Sequence, residues 1–91
     1  MKIVINKCYG GFGISDAALS RYNELAGTAL GHSFEIDRSD AKLVAVVEEM
    51  GENSFGDHAE LKVVEIPDGV EWVVEEYDGL EWVAEKHRTW S

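Results

Sequence analysis

Hydrophobic and polar residues alternate along the last third of the chain, and the alternating pattern occurs twice. Residues 68–76 (DGVEWVVEE) and residues 78–86 (DGLEWVAEK) follow the same pattern ten positions apart. Each copy begins with Asp-Gly, a dipeptide typical of the turn between two paired strands. Together with the alternating segment 61–66, the two copies predict a C-terminal three-stranded antiparallel meander.

The same alternation predicts which residues of the meander lie opposite each other. A three-residue turn over residues 77–79, closed by a glycine with positive φ, places Val74 opposite Trp82. A two-residue Asp-Gly turn would instead place Glu75 opposite Trp82. Because a slip of one residue moves every side chain to the other face, the apolar pattern favours the three-residue turn. This register predicts a covered apolar face that carries Trp72 and Trp82, and an outer face that carries glutamates.

Two helices are predicted upstream of the meander. The first spans Asp16–Ala26 behind the capping residue Ser15, and the second follows the capping residue Ser39 and continues through Met50. Apolar residues recur at helical spacing in both segments, which predicts one buried side for each helix. Each helix is followed directly by a glycine that can end it, Gly27 and Gly51.

These elements predict a single α+β domain over residues 1–91. Residues Lys2–Lys7 alternate and predict a short first strand that joins an edge of the mostly antiparallel sheet. The two helices are expected to pack on one face of that sheet, the face with the tryptophans. A chain of 91 residues can bury one hydrophobic core without disulfides or metals.

The charge of the chain excludes several classes of function. The net charge is −10 at pH 7, from 18 acidic residues against 8 lysines and arginines. Direct binding of nucleic acid is not expected, because no broad basic surface is available to neutralise phosphates.

No apolar run is long enough to span a membrane, and no signal peptide is predicted. The single cysteine, Cys8, fits a reducing compartment, so the predicted location is the cytoplasm.

The two ends of the chain lack acidic residues and together predict a site for a small anion. Residues 1–15 and 86–91 contain cationic side chains but no aspartate or glutamate. The glycine-rich stretch before the first helix can present backbone N–H groups to an anion, although a tight strand-to-helix connection is the alternative. Near the C-terminus, arginine and lysine can bind a phosphate or carboxylate, and tryptophan can stack on a base. The predicted site for a small anionic ligand, such as a nucleotide, comprises Lys7, Tyr9, Gly10, Gly11, Phe12 and Gly13 with Lys86, His87, Arg88 and Trp90.

A second hypothesis uses the acidic remainder of the chain. Glutamates on the outer face of the meander would dock a basic host protein, in the manner of a nucleic-acid mimic. The alternative is that these glutamates form only a solvated outer face. The residues of the predicted docking face are Glu71, Glu75, Glu81 and Glu85.

No group of residues in the sequence predicts catalysis. Cysteine and histidine residues lack the spacing of metal ligands, and no orienting group accompanies Cys8 as a nucleophile. The chain is therefore predicted to be non-enzymatic, without a cofactor or a metal. Its oligomeric state is left open, and a homo-oligomer is compatible with the sequence.

Three stretches of the chain resemble a family of small bacteriophage and prophage proteins. They are Lys7–Ser15 (KCYGGFGIS), Leu61–Trp72 (LKVVEIPDGVEW) and Glu76–Trp90 (EYDGLEWVAEKHRTW), and the resemblance covers most of the chain in the same order. Ile14 stands where a leucine is expected. The resemblance implies an accessory protein that acts in the cytoplasm of a bacterial host. It also implies a role in countering host defence, by sequestering a nucleotide signal or by blocking a host protein.

Overall fold

The computed structural model describes residues 1–33 and 36–85, and these residues form an α+β fold. The elements in chain order are β1 (Lys2–Asn6), α1 (Asp16–Ala26), α2 (Ala41–Met50), a 3-10 turn (Gly51–Ser54), β2 (Leu61–Glu65), β3 (Trp72–Tyr77) and β4 (Leu80–Glu85). β1 pairs with β2 and β3 pairs with β4, both antiparallel, so the strands form two separate two-stranded sheets. The predicted α+β class is confirmed.

Both helices begin at a side-chain cap. Ser15 Oγ accepts a hydrogen bond from the amide of Ala18 at 3.1 Å, as predicted for the start of α1. The cap of α2 is Asp40, one residue beyond the predicted serine. Its Oδ1 accepts hydrogen bonds from the amides of Lys42 and Leu43 at 2.8 and 3.3 Å. The carboxylate is the stronger cap here because it accepts two amides at once and carries a charge that favours the helix N-terminus.

The hydrophobic core lies between the β1–β2 sheet and the helices. Val4 of β1 and Leu43 and Val46 of α2 are fully buried there. α2 contacts both strands of this sheet, and α1 packs against α2. Ile3 and Ile5, which point to the opposite face of β1, are 0% and 2% exposed, so this strand is buried on both sides. The other buried members of the core are Ala18, Tyr22, Ile36, Val44, Val47 and Leu61.

The β3–β4 hairpin has a different register from the predicted one. Asp78 and Gly79 form a two-residue turn with φ of 51° and 88°, which are values of a type I′ turn. Glu75 lies opposite Trp82, the pairing that the apolar pattern disfavours. The predicted three-residue turn is therefore wrong, whereas the positive φ of its glycine is confirmed. One face of the hairpin carries Val73, Glu75, Tyr77, Leu80, Trp82 and Ala84, and the other carries Trp72, Val74, Glu76, Glu81, Val83 and Glu85.

The predicted three-stranded meander is not confirmed. β2 pairs with β1 along its whole length, and among the described residues it forms no ladder with β3. Gly69 has a φ of 81°, so a turn does occur between β2 and β3, but the strands on either side of it do not pair. Packing of both helices on the tryptophan-bearing face is likewise not confirmed. α2 contacts the β1–β2 sheet, and Trp82 on the hairpin is 41% exposed.

Candidate functional site

The loop of residues 7–13, termed the glycine loop, connects β1 to α1 and packs closely against two other stretches of backbone. Gly10 lies against the carbonyl group of His58, and Gly11 lies against Gly79 at the tip of the hairpin. A Cβ atom on Gly10 would overlap the His58 carbonyl, and a Cβ atom on Gly79 would lie 2.8 Å from Gly11 Cα. Gly11 also has a φ of 92°. These glycines therefore allow close backbone contact and a left-handed turn, which is the alternative considered for this loop.

The side chains of the glycine loop differ in their surroundings. Lys7 and Tyr9 are exposed, and Tyr9 exposes 67% of its surface. The ring of Phe12 lies under the guanidinium group of Arg38, whose Cζ is 3.5 Å from the ring centroid, a cation–π contact. Cys8 is half-buried, and its Sγ donates to a backbone carbonyl 3.0 Å away. Lys7 and Tyr9 are therefore the side chains of this loop that a ligand could reach from solvent.

The second half of the predicted anion site, comprising Lys86, His87, Arg88 and Trp90, lies outside the described residues. The approach of the two acid-free ends therefore stays a prediction. In the first half, the backbone nitrogen of Gly11 abuts Gly79, so this amide is occluded on the side of the hairpin. Any anion cradle in the glycine loop must therefore use the other amides of the loop.

An ion pair that no sequence pattern predicts connects the hairpin to the rest of the protein. Arg38 Nη1 donates to Glu81 Oε1 at 2.6 Å, and Nη2 donates to Oε2 at 2.8 Å, so the pair is bidentate. Glu81 is 6% exposed, and Arg38 also donates to the carbonyl of Val4 at 3.3 Å. Glu81 is therefore not part of an exposed glutamate face, because the two-residue turn directs its side chain towards Arg38 in the body of the protein.

Asn6, at the end of β1, joins this ion pair to the glycine loop. The residue is fully buried, and its backbone amide donates to Glu81 Oε1 at 2.9 Å. Its Nδ2 donates to the carbonyls of Cys8 and Gly79, both at 2.7 Å, and its Oδ1 accepts from the amide of Glu60 at 2.8 Å. No buried side-chain polar atom in the described part of the chain lacks a partner. A fully satisfied network of this kind rigidifies the structure around it.

The sequence contains little that could have revealed this network. Glu81 lies 43 positions from Arg38 and 75 positions from Asn6, so no motif spacing links them. The one local signal is Asn6 itself, a polar residue that directly follows the apolar run of β1. A buried asparagine must find several hydrogen-bond partners, which is the reason such a residue marks a polar centre.

The other glutamates of the predicted docking face do not share one surface. Glu75 lies on the same face of the hairpin as Trp82, Glu85 lies on the opposite face, and Glu71 precedes β3. All three are exposed. The observed register therefore mixes acidic and apolar side chains on both faces, where the sequence predicts a separate face for each.

The outward face of the hairpin exposes three large hydrophobic side chains. This surface, termed the hairpin face, consists of Val73, Glu75, Tyr77, Leu80, Trp82 and Ala84. The exposed fractions are 40% for Val73, 67% for Tyr77 and 41% for Trp82. Neighbouring exposed apolar side chains of this size commonly mark a site of protein interaction.

Tyr22 of α1 and Asp40 at the start of α2 form a hydrogen bond and have shifted pKa values. The Tyr22 hydroxyl donates to Asp40 Oδ2 at 2.9 Å. Burial raises the pKa of Tyr22, and the contact with Asp40 raises it further. Burial opposes the ionised form of Asp40, but hydrogen bonds from Tyr22, Lys42 and Leu43 outweigh this effect and lower the pKa of Asp40 below 3.8. The bond from Tyr22 ties α1 to the start of α2.

Other chemical features are sparse in the described part of the chain. A cavity of about 220 Å³ lies between the turn at residues 66–70 and the base of the hairpin, and its lining includes Pro67, Trp72 and Val83. Residues 1–33 and 36–85 hold no group of three or more histidine, cysteine, aspartate or glutamate side chains that could bind a metal ion. Neither helix in these ranges has the length and apolar character needed to cross a membrane.

A scan against protein-family models, a search of curated proteins and a search of solved structures each find no match for this chain. The resemblance to bacteriophage proteins therefore stays a prediction, and function is inferred from geometry and charge.

Proposed function

We propose that the protein is a non-enzymatic binding module that docks another protein through the hairpin face. The observation that carries this proposal is the exposure of Val73, Tyr77 and Trp82 on one side of a two-stranded hairpin. Tryptophan and tyrosine are enriched among the residues that contribute most to binding energy, because they bury a large area at low entropic cost. An aromatic pair on a small, anchored hairpin is a suitable centre for such an interface.

Charge favours a basic partner. Residues 71–79 contain Glu71, Glu75, Glu76 and Asp78 and no cation. The whole chain carries a net charge of −10, so a second copy would be repelled at long range, whereas a cationic surface would be attracted. The expected partner is therefore a basic protein, and the predicted bacterial host makes a bacterial cytosolic extract the appropriate source.

Binding of a small anion is the second candidate function. The glycine loop is free of acidic residues, Lys7 is exposed, and Gly11 adopts a positive φ that can turn successive amides towards a ligand. This function also requires cations from the C-terminal end, Arg88 above all. Calorimetric titration of wild type and Arg88→Ala with cyclic and linear nucleotides tests it directly.

Site-specific photo-cross-linking tests the protein-binding proposal. A benzophenone amino acid is placed at Tyr77 on the hairpin face, or at the exposed Ala45 on α2 as the matched control. After irradiation in extract, the Tyr77 position is expected to yield a discrete adduct with a basic protein. Excess unlabelled wild type should compete this adduct away, and the Ala45 position should not yield it.

The captured protein is then purified and its affinity is measured. Trp82→Ala is expected to weaken binding by about 30-fold or more, the loss of roughly 2 kcal/mol typical of a central interface residue. Leu25→Ala serves as the control, because Leu25 is a similarly exposed apolar residue on α1 at 38% exposure. Equal affinity of wild type and Trp82→Ala, or the same adduct from both cross-linker positions, would refute docking through the hairpin face.

A further inference from the structure

The two-residue turn determines which backbone groups of β3 point away from β4. In such a hairpin the residues that flank the turn exchange hydrogen bonds, and bonded and non-bonded pairs then alternate along the strands. Tyr77 and Leu80 flank the turn, so residues 75 and 73 also bond inward. The N–H and C=O groups of Trp72, Val74 and Glu76 therefore point to the outer edge of β3.

Nothing in the described part of the chain pairs with this edge. No hydrogen bond from residues 1–33 or 36–85 reaches the backbone groups of Trp72, Val74 or Glu76 outside the β3–β4 ladder.

The outer edge of β1 is different. There the Val4 amide donates to the Arg38 carbonyl at 2.9 Å, and the Asn6 amide donates to Glu81 Oε1. The described residues thus cover the edge of β1 and leave the edge of β3 open.

The other two edges are less suited to an added strand. β4 approaches β1, and the side chain of Glu81 near its start is turned into the protein body. Leu61 at the start of β2 is 6% exposed, and the neighbouring Lys62 adds a positive charge. The β3 edge combines open backbone groups with the acids Glu75 and Glu76. An open strand edge is a template for pairing with another chain, and here its charge selects the kind of chain.

We propose that β3 accepts an extended cationic strand of the partner protein by β-augmentation. The proposal rests on the proposed protein-binding function and specifies how the partner is recognised. Val73 and Val74 point to opposite faces, and so do Glu75 and Glu76. The complementary strand therefore carries two adjacent cations followed by two adjacent apolar residues, in antiparallel orientation. Backbone hydrogen bonds supply affinity, and the two cations neutralise Glu75 and Glu76.

A defined peptide provides the probe. We choose the capped hexapeptide Thr-Lys-Lys-Val-Val-Thr and, as the control, Thr-Glu-Glu-Val-Val-Thr. Nuclear magnetic resonance titration of the isotope-labelled protein is expected to show shifts and slowed hydrogen exchange at the amides of Trp72, Val74 and Glu76, with cross-strand contacts to the lysine peptide. Affinity should fall as salt is added, and the glutamate peptide should not bind. Contacts of the lysine peptide with β2 or β4 alone, or equal binding of both peptides, would overturn the proposal.

Two proline variants separate edge pairing from other effects. Val74→Pro removes an outward amide of β3 and leaves the ladder to β4 intact, because proline is tolerated where the N–H faces away from the sheet. Its affinity for the lysine peptide is expected to fall at least about tenfold, the loss of roughly one hydrogen bond. Val83→Pro, at the equivalent outward position of β4, should bind as wild type does. Unchanged affinity of a folded Val74→Pro would overturn the proposal. If this variant does not fold, the cross-strand contacts between the lysine peptide and wild type decide whether β3 accepts the strand.

The captured cellular partner distinguishes failure of this inference from failure of the proposed function. If Trp82→Ala loses the partner while Val74→Pro retains it, docking on the hairpin face stands and edge pairing is wrong. If neither variant loses the partner, the proposed function is wrong as well.

Discussion

The β1–β2 sheet and the β3–β4 hairpin contact the rest of the protein through different kinds of interaction. Val4 of the sheet, and Leu43 and Val46 of the helix α2 that packs on it, are fully buried among apolar neighbours. Among the described hairpin residues 72–85, Glu81 is the only buried residue, and it is charged. Apolar burial therefore stabilises the β1–β2 sheet and the helices, whereas a satisfied polar network positions the β3–β4 hairpin.

This difference has consequences for stability and for function. Apolar burial is non-directional and tolerates small adjustments, but a bidentate ion pair holds its partners in one geometry. Two-stranded hairpins are marginal in isolation, and the Arg38–Glu81 pair and Asn6 are among the contacts that hold this one in place. A hairpin held through its tip can keep apolar side chains and a strand edge exposed for a partner.

The largest loss of stability is expected from a cavity in the core between the β1–β2 sheet and the helices. Leu43→Ala removes a fully buried side chain from the core, and it should lower the free energy of unfolding by about 3–4 kcal/mol. Val73→Ala on the hairpin face should change it by less than about 0.5 kcal/mol, because Val73 is 40% exposed. Urea unfolding of both variants measures the difference. Similar losses from the two substitutions would contradict the proposed division of the molecule.

Breaking the ion pair should affect the hairpin selectively. Glu81→Gln leaves Arg38 without its charged partner and should cost about 3 kcal/mol, at the low end for buried pairs because the Arg38 side chain is 23% exposed. Glu75→Gln, on the exposed face, should cost less than about 0.5 kcal/mol. Native-state hydrogen exchange should show faster exchange in β3 and β4 than in β1. Uniform loss of protection throughout the protein would mean that the hairpin is not a separately anchored unit.

A pair of glycine substitutions isolates the contact between the hairpin tip and the glycine loop. Gly69 and Gly79 have similar φ values of 81° and 88°, but a Cβ atom meets nothing within 4 Å at Gly69 and meets the backbone of Gly11 at Gly79. Gly69→Val should cost about 1–2 kcal/mol from backbone strain alone. Gly79→Val should cost about 1 kcal/mol more, since the loop must also move. Equal melting temperatures of the two variants would show that the tip contact contributes nothing.

The smallest effect concerns the charged cap of α2 and depends on pH. Asp40→Asn keeps a capping side chain but loses the charge near the helix N-terminus, and it should cost about 0.5–1 kcal/mol at pH 7. Because the pKa of Asp40 in the folded protein is below 3.8, the contribution of its charge is present above that pH. The contribution is lost as the pH falls through the lowered folded-state pKa. Urea unfolding of wild type and Asp40→Asn is measured from pH 7 down through the pKa of Asp40. The difference between their free energies of unfolding should shrink as the pH falls, and a constant difference would contradict a role for the charge of Asp40.

Local signals predicted local structure well in this protein. Ser15 caps α1, Gly27 ends it with a φ of 68°, and Gly79 has a positive φ, all as predicted. Each of these features depends on residues within a few positions of each other, so the sequence states the physical requirement directly. The glycine loop also lies where predicted, but its glycines contact Gly79 and His58, and sequence spacing does not reveal such partners.

The sequence by itself determined the helices, the turn positions and the acidic character of the chain, because these follow from periodicity, capping and composition. Tertiary structure decided the pairing of the strands and the register of the hairpin. The apolar pattern favours a three-residue turn only if the tryptophan-bearing face is covered, and Trp82 is instead 41% exposed. The two-residue turn places Glu81 against Arg38 and Gly79 against Asn6, and these long-range polar contacts outweigh the gain from separating apolar and acidic faces.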